Sequence, residues 1–132
     1  MTRPKLQSIS PFFIVSDVEK SLSFYGDRLG FAATFREPAQ NPFFAIVARD
    51  GGQIFLKSDS SVSPLPNPVR HPGMRWDAYI AVPDPDGLAA EFAANGAEFS
   101  SPLQDTHDGL RGFEIADPDG YTLFFGRPKS MG

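Results

Sequence analysis

Apolar and polar positions along this chain follow two periods, and the periods come in the same order in each half. Ile9 to Val15 is an apolar-rich run of strand length. Ser16-Asp17-Val18-Glu19 follows with the capping-box spacing that opens a helix, where a short polar side chain accepts one of the free N–H groups of the first turn. Val18, Leu22, Tyr25 and Leu29 then recur at steps of 4, 3 and 4 residues, one apolar stripe of a helix running to about Leu29. Gly30 supplies its left-handed stop, and Gly26 weakens it slightly. Three short strands are predicted next, Phe31 to Arg36, Phe43 to Arg49 and Gln53 to Ser58, the last two joined by the Asp50-Gly51-Gly52 turn.

The second half repeats this order. Asp77 to Val82 is the opening strand, and Asp84-Pro85 starts a helix with a capping residue followed by proline at the first helical position. Leu88 and Phe92 form its buried face and Asn95-Gly96 closes it. Ala97 to Ser101, Gly112 to Ala116 and Tyr121 to Gly126 are predicted strands, the last two around the Asp117-Pro118-Asp119-Gly120 turn. Between the halves, Pro64, Pro66, Pro68 and Pro72 forbid regular strand pairing and predict an irregular connector or lid. The landmarks of the two halves are offset by 67 (Val15 to Val82), 66 (Gly30 to Gly96) and 68 (Gly52 to Gly120), which points to an internal duplication. One domain over residues 1–132 is expected, with module one at 9–58, the connector at 59–75 and module two at 76–128.

Val15-Ser16-Asp17-Val18-Glu19-Lys20-Ser21-Leu22-Ser23-Phe24-Tyr25, followed by Asp27-Arg28-Leu29-Gly30-Phe31, resembles the first-module signature of the vicinal oxygen chelate superfamily, which includes glyoxalases, bleomycin resistance proteins and extradiol dioxygenases. Asp117-Pro118-Asp119-Gly120-Tyr121 resembles its final hairpin. The resemblance covers residues 9–128. It implies an α+β fold, two tandem βαβββ modules forming a cupped mixed sheet with helices outside and a ligand cleft within, commonly in a homodimer. It does not by itself imply one activity, since members include isomerases, dioxygenases, thiol transferases and drug-binding proteins.

In metal-dependent members the ligands stand five residues before the valine of the Val-x-Asp segment and four after the turn glycine of each module. Here those places hold Ser10, Leu56, Asp77 and Phe124. A catalytic divalent ion needs about three nitrogen or oxygen ligands and an open position. Only Asp77 is a strong one, so the metal site implied by the family reads as erased, and no cofactor is expected. His71 and His107 fall in predicted loops, beside Pro72 and between Asp105 and Asp108, and are expected to be exposed rather than to restore the site. Strand alternation adds Phe12, Ile54, Tyr79 and Thr122 to the cleft face and sends Phe13, Val15 and Trp76 to the other side. The resulting pocket is apolar and aromatic, with Asp77 as an isolated polar anchor favouring ligands that carry a cationic or hydrogen-bond-donating group. The plainer reading is that the same rings merely close the cup.

Composition narrows the alternatives. Filling a thin sheet core accounts for most of the thirteen Phe in 132 residues, and any surplus is a candidate cavity lining. With no cysteine there is no disulfide, thiolate site or cysteine nucleophile, and a reducing cytoplasm is the expected location. Met1 to Ser10 is too polar for a signal peptide, and no apolar run approaches membrane-spanning length. A net charge of −4 with scattered Lys and Arg argues against nucleic acid as a partner. No Gly-x-Ser-x-Gly elbow or phosphate-binding loop is present. The expected function is therefore metal-independent binding of a small hydrophobic or aromatic molecule, antibiotic-like compounds included, by a homodimer. The alternatives are a glyoxalase- or dioxygenase-like enzyme with rearranged ligands, and an interaction module with a vestigial cleft.

Overall fold

The computed structural model describes residues 2–131. In each half the first strand pairs in parallel with the last, and a parallel pair needs a crossover, which the helix provides. The first unit is β1 (Phe12–Ile14), α1 (Val18–Asp27), β2 (Ala32–Glu37), β3 (Phe44–Arg49) and β4 (Gly52–Lys57), ordered β1-β4-β3-β2 across its sheet. One helical turn, α2 (Asn67–Arg70), interrupts the connector. The second unit is β5 (Ala78–Ala81), α3 (Pro85–Ala94), β6 (Phe99–Asp105), β7 (Leu110–Ala116) and β8 (Thr122–Pro128), ordered β5-β8-β7-β6, and a 3-10 turn follows at Lys129–Met131. This is the α+β architecture of two βαβββ modules.

Several boundaries differ from the pattern-based expectation. The first strand is shorter than Ile9 to Val15 because Pro11 has no N–H to give; pairing starts at its carbonyl, which accepts from Phe55 N. Asp17, not Ser16, caps α1, its carboxylate accepting from Lys20 N at 3.3 Å. β6 starts two residues later than expected and runs on through Pro102, which an edge strand tolerates. The connector is irregular except for α2. The helix stops fall at the expected glycines: Gly30 and Gly96 have φ of +72° and +82°. At α3, Ala97 N bonds Phe92 O and Gly96 N bonds Ala93 O, the Schellman pattern.

The two modules meet across an approximate twofold axis. On that axis the helix ends exchange hydrogen bonds, Arg28 Nη1 to Asn95 O and Asn95 Nδ2 to Arg28 O. Off it, each helix reaches the end of the other module's third strand by a different chemistry. The Tyr25 phenol donates to Asp117 at 3.0 Å in a buried site, whereas Phe92 has the Arg49 guanidinium 5.8 Å from its ring centroid, with Arg49 held bidentate by Glu91 at 2.8 and 2.9 Å. One apolar core runs through both modules on the helix side of the sheets, from Phe13, Val15, Tyr25, Val47 and Leu56 to Phe92, Phe113, Ile115, Leu123 and Phe125.

Candidate ligand-binding site

The faces of the two sheets turned away from the helices carry rings instead of core. On the second sheet Phe124 lies flat over two neighbouring glycines, Gly112 and Gly126, which face each other in the β7–β8 ladder. A methyl on Gly112 would stand 2.6 Å from the Phe124 ring, so glycine is what lets the ring lie down there. Trp76 stacks on Phe124 with centroids 4.4 Å apart and an interplanar angle of 25°, and Tyr79 stacks beside it at 5.5 Å. The indole N–H donates to Glu114 at 3.0 Å, which fixes the ring's orientation, and the Arg75 guanidinium sits 4.5 Å from the indole centroid, itself paired with Asp108 at 3.2 Å. Phe124 is buried under this stack while Tyr79 is 43% exposed, so the platform has a sealed base and an open edge.

The first sheet carries a matching patch. Phe12, Phe35, Phe44 and Phe55 contact one another at centroid distances of 5.7–6.0 Å, with Phe12 54% and Phe35 46% exposed. The pairing register explains the match: Phe12 faces Phe55 across β1–β4 as Tyr79 faces Phe124 across β5–β8.

That register corrects two of the expected site residues. Leu56 and Ile54 lie on the helix side, 0% and 3% exposed, and belong to the core. The β7–β8 turn is one residue longer than the β3–β4 turn, since Arg49 pairs with Gly52 while Asp117 N bonds Tyr121 O. Equating Gly52 with Gly120 therefore slips the first module by one position, and a slip of one exchanges the faces of a strand. The residue equivalent to Phe124 is Phe55. The expected placement of Trp76 away from the pocket is likewise overturned, because it precedes β5 and folds over Phe124.

Ser10 and Asp77 occupy equivalent places. Ser10 accepts from Gln53 Nε2 at 3.2 Å. Asp77 is not isolated: Oδ1 accepts from Asn67 N at 2.7 Å and Oδ2 from Thr122 N at 2.8 Å, so its carboxylate ties the connector to β8. The Asn67 side chain adds a bond from Nδ2 to Trp76 O at 3.1 Å. Thr122 is buried, its N–H spent on Asp77 and its hydroxyl directed at Gly120 O. Phe12, Tyr79 and Phe124 are thus in the aromatic patches, Ser10, Asp77 and Thr122 are at their polar edges, and Ile54 and Leu56 lie beneath. Pattern reading missed Trp76, Phe35, Phe44, Phe55 and Glu114; the doublets Phe12-Phe13, Phe43-Phe44 and Phe124-Phe125 signal one ring on each face, but the face is set by turn length.

His71 and His107 are exposed, and His71 Nδ1 accepts from Gly73 N. Among the described residues no three His, Cys, Asp or Glu side chains are grouped to hold a metal ion. None of the described helices is long and apolar enough to cross a membrane. A groove of about 820 Å³ lies not on the aromatic faces but at a junction between the modules, and Tyr79 lines both. Fixed, half-exposed rings make the aromatic faces the better candidate for ligand recognition by stacking.

Comparison with known proteins agrees with the fold. A search of curated protein sequences returns no match. Among solved structures, TioX from Micromonospora sp. ML1 superposes with a TM-score of 0.72 at 22% identity, covering 92% of this chain and 98% of that one. TnmS3, an antibiotic binding protein from Streptomyces sp. CB03234, gives 0.67 at 22% identity over 97% and 98% of the two chains. The bleomycin-binding protein of Streptomyces verticillus, solved with copper(II)-bleomycin, gives 0.65 at 26% identity over 93% and 97%. The sequence model for the glyoxalase/bleomycin resistance protein/dioxygenase superfamily matches residues 6–125. With its two βαβββ modules and a match along nearly all its length, the chain belongs to that superfamily.

Proposed function

We propose that this protein captures a small planar aromatic molecule on the open face of its second sheet, without a metal ion. The observation that carries this reading is the Trp76–Phe124–Tyr79 stack: its rings are held by Glu114 and by the two glycines beneath, so they lose little freedom when a flat ligand is laid against them. Antibiotic- and bleomycin-binding neighbours support a binding role. Metal independence is supported by the donor set, because the equivalent strand positions hold Ser10, Phe55, Asp77 and Phe124, and both oxygens of Asp77 are engaged by backbone N–H groups.

The chain has one tryptophan, so its emission reports this face alone. Titration with planar aromatic compounds, bleomycin among them, is expected to quench it, with the same affinity in the presence of EDTA. Trp76→Ala, followed by calorimetry, is expected to weaken binding more than tenfold, the range of a buried aromatic hot spot. Binding that is indifferent to Trp76, or that requires a divalent ion, refutes the proposal.

The same reading includes a twofold dimer. Phe12, Phe35, Phe43, Leu65, Val69 and Tyr79 are each at least 43% exposed, large apolar side chains of the kind that a twofold interface covers. Light scattering at micromolar concentration is expected to give twice the 14.4 kDa chain mass; a monomer there overturns the dimer.

A further inference from the structure

The approximate twofold axis makes two junctions between the modules, and only one of them is filled. At the filled junction the Tyr121 ring stacks on Phe13 at 4.3 Å and 3°, and its hydroxyl donates to Ile14 O at 2.6 Å. Ser16 N closes the same junction by donating to both oxygens of the Asp119 carboxylate at 3.2 Å. The equivalent positions follow from the strand registers, under which Phe13 pairs with Leu56 as Ile80 pairs with Phe125, and Ile14 with Lys57 as Ala81 with Gly126. At the second junction Ile80 therefore stands for Phe13, Ala81 for Ile14, Pro83 for Ser16 and Gly52 for Tyr121. The ring is gone, and proline has no N–H with which to tie down the opposite turn. What remains is the groove of about 820 Å³, walled by Ile80 of β5 and Val82 just after it, by the Asp50-Gly51 turn with the start of β4 to Ile54, and by Leu88 and Phe92 of α3.

We propose that this groove is a second ligand site, distinct from the aromatic face, that takes a phenol bearing a neutral or cationic tail. The chain itself shows what fits such a junction, since its other copy is filled by a phenol whose ring packs on the β1 side chain and whose hydroxyl meets the next carbonyl. In the groove the ring lies over Gly52 against Ile80 and donates to the carbonyl of Ala81, a solvent-exposed residue. The cavity exceeds one ring and leaves space for a tail. At the mouth Asp50, Asp84 and Glu91 face a single cation, Arg49, already engaged by Glu91 and by Leu29 O at 2.8 Å, so an anionic tail is disfavoured.

The test uses tyramine as probe and amide NMR shifts as readout. Tyramine is expected to perturb Gly52, Ile54, Ile80, Ala81 and Leu88, with phenethylamine, which lacks the hydroxyl, and 4-hydroxyphenylacetate, which is anionic, at least fivefold weaker. A Cβ at position 52 meets nothing nearer than Arg49 O at 3.4 Å, at an ordinary φ, so substitution there is tolerated. Gly52→Ala is expected to keep binding. Gly52→Tyr is expected to fill the groove from within, abolish the tyramine shifts and raise the melting temperature; Leu88→Trp, filling it from α3, is expected to abolish them too. Trp76→Ala, which removes the aromatic face, is expected to leave them unchanged. Absence of groove shifts in the wild type at millimolar tyramine, their persistence in both filling variants, or shifts confined to Trp76 and Tyr79 overturns the proposal.

Discussion

As pH climbs from below about 4 to above about 6 the fold is expected to lose about 3 kcal/mol of stability through one residue, Asp117. Its carboxyl is 5% exposed, and burial pushes it from an ordinary 3.8 up to about 6. The Tyr25 phenol and the backbone N–H groups of Tyr121 and Asp119 all donate to it and favour the charged form, but desolvation outweighs them, and the nearby Asp119 charge adds to the rise. Tyr25 is itself fully buried and held well above the usual phenol range, by burial first and then by Asp117, so it stays a neutral O–H donor to the carboxylate across this range. A group whose folded pKa is raised contributes stability that is present in full below its unfolded value and lost as pH climbs through the folded one. The loss therefore falls between about 4 and about 6, and a rise of this size corresponds to about 3 kcal/mol. Asp86, Glu91 and Asp108, which their hydrogen-bond partners hold below the usual range, act at the other end and destabilise the fold as pH falls. Urea unfolding at steps across this range is expected to show a decline in the wild type that Asp117→Asn removes. Parallel curves for the two proteins would contradict the assignment.

Gly112→Ala is expected to cost about 3 kcal/mol or more, the upper range for overpacking. The new methyl would collide with the Phe125 carbonyl oxygen and approach the Phe124 ring to 2.6 Å and Gly126 Cα to 2.9 Å; two of these three are backbone and cannot swing away. The displaced ring is the base of the Trp76 stack, so a red shift in emission should accompany the fall in melting temperature. Gly51→Ala is the control, because a methyl there meets nothing within 4 Å, and it is expected to change stability by less than about 0.5 kcal/mol. Equal melting temperatures for the two variants would show that β7 and β8 can separate without loss.

Most of the architecture was legible in the chain because local signals agreed with one another. The stripe Val18, Leu22, Tyr25 and Leu29 is buried throughout, Gly30 and Gly96 stop their helices, and Asp84-Pro85 starts α3. The site was legible only in part. Tyr79, Phe124 and Phe12 stand where alternation puts them, but Ile54 and Leu56 do not, because the face of β4 depends on whether the turn before it has two residues or three. Asp77 was misjudged for another reason. Its partners, Asn67 N and Thr122 N, are main-chain donors 10 and 45 residues away, and no residue type announces a backbone N–H. Trp76 escaped because it lies outside any strand, where alternation says nothing about direction.

The bonds that close the filled junction join residues almost a chain apart: Ile14 and Tyr121 are separated by 107 positions, Ser16 and Asp119 by 103. Closing such loops costs entropy before any contact repays it, and chains rich in distant contacts fold slowly. On a ribosome the first module must wait, its Phe13 uncovered, until the last hairpin emerges. Nascent chains halted before Tyr121 would therefore expose apolar surface to chaperones, and the transition state for refolding should form within modules and lock between them late. Substitutions at Tyr121 should then speed unfolding far more than they slow folding.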